Sequence, residues 1–511
     1  MDYSEKVNKL LEQGILPDEN SLNELDKESE KELKQNQENN NQEEQVVKKN
    51  STEYSQELKE VFKDDDQVRV KIVYNYDKPS KKRVIQDFVK YFNHRYKGLE
   101  KIIKQRPEMQ SLMSINKLNL KSEKEKVSII GIITEKRETK NNHIMLKVED
   151  QTGVTNVLIS KNNTELYPTA KDLILDEVIG ISGSVGKNII FANEIIFPDI
   201  PLNRELKKGP RDVYAIFIGD LHFGSKEFLK DEFEKFIKWI NGELGSKEQR
   251  EIANKTKYLF VMGDLVEGVG VYPNQDEDLV IPDIKLQYKL MAVYFEKIKK
   301  DKKIIIIPGN HDAGRIADPQ PALYNDFCQA LEILDNAIIL SSPSMVNIES
   351  TEDFSGLDIL LYHGYSLIYY ADNVASIRAA GGQKRVDLLM KFLLQKRHLA
   401  PTHEANMYVP DADEDPLIIT HVPDIFVTGH IHRAMAEQYR SVTIMNTSCW
   451  GDITENQEKR GLEPQPGRVL ALNLQTRKVK IVNFYTRKEK KKSDENSKDS
   501  DKMNEEKKQT K

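Results

Sequence analysis

An α/β domain preceded by a small all-β barrel is the architecture this 511-residue sequence predicts. Three observations predict it. Between 126 and 197, five short β-rich runs follow one another with turn residues between them. Between 212 and 486, buried strand-like runs alternate with helical patterns, the layout of a sheet with helices on its faces. Each of those later runs ends in Gly or His, and ligands in such sheets collect at the carboxyl ends of the strands.

The elements follow in order. Residues 1–25 carry Val7, Leu10, Leu11, Ile15 and Leu16 at near-helical spacing before Pro17 breaks the run. This is a small helical element, read either as a docking module or as a helix that only frays at the terminus. Residues 26–66 are Glu, Lys, Gln and Asn with almost no large apolar side chains. They bury too little surface to offset ordering entropy and are expected to be a disordered acidic linker. A helix-plus-barrel domain is expected over 67–205. Its helix spans 81–105, with Val84, Ile85, Phe88, Val89, Phe92, Leu99, Ile102 and Ile103 as an apolar stripe that contacts the core, and Pro107 ends it.

The barrel strands are VSIIGIIT, HIMLKVED, VTNVLIS, EVIGISGSV and IIFANEIIF, with Gly131, Gly180 and Gly183 at bends, which points to an OB-fold. Phe191 and Phe197 are its few aromatics, so it reads equally as a single-strand binder or as a protein-contact barrel. The α/β domain covers 206–486, with VYAIFIG, KYLFVMG, KKIIIIPG, DILLYHG and DIFVTGH as its strands. Residues 487–511 form a disordered charged tail.

Composition limits the class. The two cysteines, Cys328 and Cys449, exclude a disulfide scaffold and a cysteine-built zinc site, and fit a reducing cytoplasm. No run approaches the ~18 apolar residues of a membrane span. The net charge of −6 is misleading until it is located. Residues 1–66 hold 9 Lys and Arg against 19 Asp and Glu, and the tail is net +3, which leaves 67–486 at +1. The acidity belongs to the N-terminal segment and does not argue against a nucleic-acid substrate.

The strand ends carry the chemistry. They are Gly219-Asp220-Leu221-His222, Gly263-Asp264-Leu265-Val266-Glu267, Gly309-Asn310-His311-Asp312, His363-Gly364 and Gly429-His430-Ile431-His432. Five of the ten histidines fall in these windows, too many for scattered structural histidines. Histidine and carboxylate suit first-row divalent metals, with Mn, Fe and Zn all open. In an extended segment, residues i and i+2 point the same way. Asp220 with His222, and His430 with His432, are therefore expected to face one ion each as pairs.

The set D-x-H, G-D-x-x-E, G-N-H-D, H-G and G-H-x-H resembles the calcineurin-like metallophosphoesterase superfamily. The resemblance implies a phosphoesterase β-sandwich with flanking helices and a dinuclear site. By motif, Asp220, His222 and His432 would hold one ion, and Asn310, His363 and His430 the other, with Asp264 bridging. His311 would stay off the metals and protonate the leaving oxygen. Two such ions clamp a phosphate and acidify a water. Arg315 is a substrate-phosphate candidate, with surface solvation as the plainer reading.

An OB-like barrel directly before this domain, with all five motifs intact, is similar to the small subunits of archaeal DNA polymerase D. DFVKYFNHRYKGLEKII, GNHDAGRIADPQPA, KRHLAPTH and PDIFVTGHIHRA followed by NTSCWGDIT look like that family too. The resemblance implies a 3′→5′ proofreading exonuclease, typically supported by Mn²⁺, acting on a DNA primer 3′ end. It also implies a separate large polymerising subunit, with a sliding clamp or primase as further partners. The barrel and the segment around Trp450 are candidate partner surfaces, with core packing the plainer reading of Trp450. Two other functions compete: a repair nuclease acting on DNA ends, and a scaffold subunit whose site no longer turns over.

Overall fold

The computed structural model describes residues 69–486, apart from 412, 455, 456, 458 and 460. The N-terminal element, the acidic linker and the charged tail lie outside the described residues. So does any account of them as docking, disordered or solvated segments.

The first strand, β1 (Val70–Asn75), comes before the barrel in sequence but does not join it. It pairs antiparallel with β11 (Ser344–Ile348), Val70 opposite Ile348. A helix, Ile85–Ile103, follows. The barrel is then β2 (Lys126–Glu138), β3 (Ile144–Asp150), β4 (Gly153–Ile159), β5 (Val178–Gly186) and β6 (Ile189–Ile196), closed in the order β2-β3-β4-β6-β5. Alternation drives the closure: Ile144, Leu146 and Val148 of β3 point inward and are buried with Val157, Ile179, Ile181 and Ile190.

Two six-stranded sheets make the larger body. The first runs β10 (Ala337–Ile339), β9 (Lys303–Ile307), β8 (Thr256–Met262), β7 (Tyr214–Ile218), β16 (Arg468–Asn473) and β17 (Val479–Asn483). The second runs β1, β11, β12 (Leu357–Leu361), β13 (Ile425–Thr428), β15 (Val442–Asn446) and β14 (Met435–Tyr439). Their facing surfaces bury Phe217, Phe260, Ile305, Val346, Ile359 and Val427 in one shared layer. Helices cover the outer face of each sheet. Phe233, Phe236 and Trp239 pack on the first, and Leu389, Met390 and Leu393 on the second. Strands β7, β8, β12 and β13 have both faces covered, which is why they read as unbroken apolar runs rather than alternating ones.

Two expectations are corrected. Trp450 is fully buried, its ring 4.8 Å from Phe233 and 5.3 Å from Phe236, so it is a core residue and offers no partner surface. The apolar stripe of the first helix is only partly a core contact. The buried row is Tyr91, Arg95, Leu99 and Ile103, four residues apart, while Ile85, Phe88 and Val89 face out. The buried arginine sets this rotation. Arg95 donates to Asp415 (2.8 Å) and to the carbonyl of Pro401 (2.6 Å), so its charge is matched inside the larger body.

The barrel is seated by a second buried ion pair, Lys396 to Glu177 at 2.5 Å, with Lys396 over the Phe197 ring. Among the described residues no helix is long and apolar enough to cross a membrane.

Candidate metal centre

Five strand ends converge. Strand β7 delivers Asp220 and His222, β8 delivers Asp264 and Glu267, and β9 delivers Asn310 and His311. From the other sheet, β12 delivers His363, and β13 delivers His430 and His432. Strands β7, β8 and β9 are parallel, as are β12 and β13, so each set presents its carboxyl ends on one side.

The expected i, i+2 pairing in extended chain fails on two counts: Asp220 and His222 share a donor group but His430 and His432 fall in different ones, and the chain is not extended at either pair. Asp220 (φ 51°), His222 (52°), Asp264 (47°), His430 (69°) and His432 (55°) are all left-handed. Each such residue costs about 1–3 kcal/mol unless its surroundings impose it. Here backbone bonds impose it: the amides of Leu221 and His222 both donate to the carbonyl of Asp264, at 2.7 and 3.0 Å. The chain therefore curls at each strand end and turns its donors inward. Gly309 permits the crowding, since a Cβ there would sit 2.3 Å from Asp264 Oδ1.

The donor atoms form three groups, one of them His222, Glu267 and His311, which overlaps another at His222. Asp220, His222 and His432 gather on one side, with Nε2 of His222 and His432 3.3 Å apart and Asp220 Oδ1 3.3 Å from His432 Nε2. Asp264, His363 and His430 gather on the other, and Asn310 Oδ1 lies 3.0 Å from His363 Nε2. Asp264 Oδ2 is 3.4 Å from His363 Nε2 and 4.0 Å from His222 Nε2.

Tautomers follow from the partners. His363 Nδ1 lies 2.8 Å from the carbonyl of Met262, which can only accept, so Nδ1 carries a proton and Nε2 is the nitrogen turned toward the donor group. His311 Nδ1 likewise donates to the carbonyl of Glu267 at 2.8 Å, which frees its Nε2. The His311 backbone N–H donates to Asp264 Oδ1 (2.8 Å) and fixes that carboxylate.

The electrostatics favour a cation. Against its burial, the His363, His311 and His222 rings hold the Asp264 carboxyl well below the usual range. Burial opposes charge on His363 too, but the Asp264 carboxylate lifts it to about 9. Burial, helped by the His363 charge, pushes His430 down to about 3, so it is a neutral ring. The buried carboxylates of Asp220 and Asp264 supply the negative charge that a cation here would answer.

Sequence reasoning gave no role to two residues in the same windows. Glu267 Oε2 is 2.9 Å from His222 Nδ1, and its carbonyl holds His311. Asp312 accepts from Gly309 N (2.8 Å), Leu265 N (3.2 Å) and the Tyr288 hydroxyl (3.0 Å), and so staples the β8 and β9 turns. Their place in the motif windows was the available signal. Arg315 uses its donors within its own loop, on the carbonyls of Ala317 (3.2 Å) and Pro319, and lies over the Tyr76 ring.

Residues 214–434 match the family of calcineurin-like phosphoesterases. Over 395 residues the chain is 38% identical to the DNA polymerase II small subunit of Methanothermobacter thermautotrophicus, covering 77% of this chain and 79% of that one. The small subunit of Archaeoglobus fulgidus is 38% identical over 385 residues, 75% of this chain and 74% of that one. The chain belongs to the DNA polymerase II small subunit family. A third member of the family, from Pyrococcus abyssi, is 37% identical over 398 residues, 78% of this chain and 62% of that one.

Calcineurin-like phosphoesterases use divalent metals, and the residues of this family member fit such ions. His430 Nε2 is buried with no hydrogen-bond partner among the described residues, an orphaned lone pair that suits a metal ligand. The facing Nε2 atoms of His222 and His432 repel as lone pairs unless a cation or proton lies between them.

Proposed function

We propose that this chain is the 3′→5′ proofreading exonuclease subunit of a heteromeric replicative DNA polymerase, with the polymerising activity in a separate large subunit. The observation that carries the reading is the complete donor set, seven side chains from five strand ends, with the buried His430 Nε2 left unpartnered. A scaffold that no longer turns over would have no selection to keep all seven. Asp220, His222 and His432 would hold one divalent ion, Asn310, His363 and His430 the other, and Asp264 both. Mn²⁺ is the ion the family resemblance implies. When bound, such ions neutralise the phosphodiester and acidify water.

The chain's own residues do the rest. Glu267 orients His222 from behind, and its carbonyl keeps the His311 proton on Nδ1. His311 Nε2 can then carry a second proton and deliver it to the leaving oxygen. Asp220 and His222 are buried above the apolar layer between the sheets, which keeps bulk water from these two donors, while His432 faces the opening.

The test uses the chain assembled with its large subunit. Nucleotide release from a 3′-mismatched primer should require Mn²⁺ and fall by about 10²–10⁴ in His311→Ala, with DNA binding retained. Absence of release with any divalent ion would leave the scaffold reading. Strong cutting of blunt duplex ends by the isolated chain would favour the repair nuclease.

A further inference from the structure

A groove leaves the metal centre and runs under the first helix to the barrel. Its inner part is a cavity of about 820 Å³ with His430 at one end. Tyr365 comes next, its ring 5.5 Å from the His430 ring. Tyr369, Tyr408 and Phe88 line the rest. A second cavity of about 340 Å³ shares Phe88 and Tyr408 and extends to Phe92. A third, of about 400 Å³, shares Phe88 and Phe92 and reaches Ile132 and Thr134 of β2 and Glu149 of β3. Shared lining residues thus link the three cavities from His430 to strands β2 and β3 of the barrel.

Two features of the track point to a ligand. The first is a rigid aromatic platform. Tyr408 stacks on buried Tyr91 at 4.9 Å and is held edge-on by Phe88, Phe92 and His403 at 6.2, 6.5 and 5.0 Å. It remains only half-buried, and Phe88 is 38% exposed. These rings are already fixed, so stacking a base on them costs little side-chain entropy. The second feature is a pair of unsatisfied polar atoms besides His430 Nε2. Asn406 is 8% exposed and donates through Nδ2 to the Asp318 carboxylate, which fixes its amide orientation. Its Oδ1 and the Tyr408 hydroxyl are both buried with no partner among the described residues. Buried polar atoms are rarely left so unless something else satisfies them. Asn406 and Tyr408 both line the inner cavity.

We propose that this groove is a track for unpaired DNA, in which the last bases of a frayed strand stack on Tyr408 and Phe88 while the terminal phosphodiester lies at His430. The proposal rests on the nuclease reading above. The inner cavity has the volume of a small-ligand site, which suits about one or two unpaired nucleotides. Neither lysine nor arginine lines these three cavities, while Glu404, Asp176, Glu149 and Asp150 do; Lys136 and Arg137 line an adjoining cavity of about 510 Å³ that shares Tyr369 and Thr402. The strand therefore lies with its bases inward and its phosphates toward solvent. Its hold on the groove comes from stacking on the fixed rings, not from ion pairs. A protein segment seated here permanently would block the path to His430, which is why the occupant is the substrate strand.

The experiment uses the complex with the large subunit, without divalent ion, and a 3′-mismatched primer carrying 2-aminopurine at its last position. Binding is read by fluorescence quenching across a salt series. Phe88→Ala and Tyr408→Leu should each weaken the quenched complex by about 5- to 100-fold. The slope of affinity against salt should not change, because no phosphate contact is lost. Tyr408→Trp should restore binding and quenching, which a merely structural role would not do. Unchanged affinity in folded Phe88→Ala and Tyr408→Leu proteins would overturn the proposal. So would loss of the large subunit from either variant with quenching otherwise intact, which would make the groove a protein-docking site. Since binding is read without cleavage, failure of the nuclease reading shows separately. The variants would then lose quenching while the parent complex releases no nucleotide with Mn²⁺.

Discussion

Replacing Arg95 by methionine isolates the contact that holds the groove's roof to its floor. Arg95 is 1% exposed, and its donors go to Asp415, the Pro401 carbonyl and the Tyr91 hydroxyl. Asp415 is also buried and takes a second bond from His398 Nε2 at 2.8 Å. His398 Nδ1 accepts from the Ala400 amide (3.0 Å), so the ring is neutral with its proton on Nε2. Burial, and then the Arg95 charge, keeps its affinity for a second proton below the usual range.

Arg95→Met therefore leaves one buried carboxylate facing one neutral imidazole. Breaking a buried pair in this way costs about 3–5 kcal/mol. At about 1–2 °C per kcal/mol for a body of this size, Tm should fall by roughly 3–10 °C. The loss should depend on pH. With Arg95 gone, His398 gains proton affinity from Asp415. Relieving a depressed folded-state pKa restores stability below the unfolded pKa of ~6.5, where an unprotonated His398 costs the wild type, and changes nothing at high pH, where the ring is neutral in both states. The variant should thus be damaged less at pH 5.5 than at pH 8. Thermal melts can be followed by the fluorescence of Trp239 and Trp450, both buried in the larger body. In Arg95→Met/Asp415→Leu, which removes the stranded charge, most of the loss should be recovered. A loss under about 1 kcal/mol in the single variant would refute this account, as would a double variant no better than the single.

Three further outcomes follow from the site and its support. Glu267→Gln removes the carboxylate behind His222 and should weaken divalent-ion binding by about 10- to 100-fold, measured by calorimetry with the ion alone. Wild-type affinity would mean that Glu267 does not orient His222. Gly309→Ala forces a methyl group against Asp264 Oδ1 and should lower ion affinity while leaving Tm within about 2 °C, since only the turn must shift. Burial raises the Asp318 carboxyl to about 7, opposed by bonds from the Tyr362 hydroxyl and Asn406. The folded protein therefore holds a proton that the unfolded chain releases near ~3.9. On this account stability falls as pH rises from about 4 to about 7, with a slope up to about 1.4 kcal/mol per pH unit, and Asp318→Asn flattens that slope in urea titrations. An unchanged slope would locate the effect elsewhere.

Much of the centre was legible because its signal is local. A buried strand ending in Gly-Asp-x-His or Gly-Asn-His-Asp declares both the strand and the donors, and the described structure brings all seven together. The five barrel runs were legible for the same reason, since alternation and turn residues are short-range patterns. What escaped depends on partners far away in sequence. The rotation of the first helix is set by Asp415, 320 residues on from Arg95. The left-handed turns at Asp220 and His430 escaped because aspartate and histidine, unlike glycine, give little warning of a positive φ. The Tyr408 platform escaped because its rings come from two segments that periodicity alone cannot join.

The pairing of β1 with β11 has a consequence for biosynthesis. Val70 meets Ile348 only after roughly 280 further residues have left the ribosome, and at about 5–20 residues per second that takes roughly 14–56 s. The barrel between them is complete long before then and can fold as a unit while β1 still waits with an open edge. Exposed edges of this kind pair with whatever strand is nearby. Val70, Ile72 and Val73 of β1 are thus the stretch of a nascent chain most in need of a chaperone, and a single charged residue at Val73, already half-exposed, would guard it at little cost to the finished sheet.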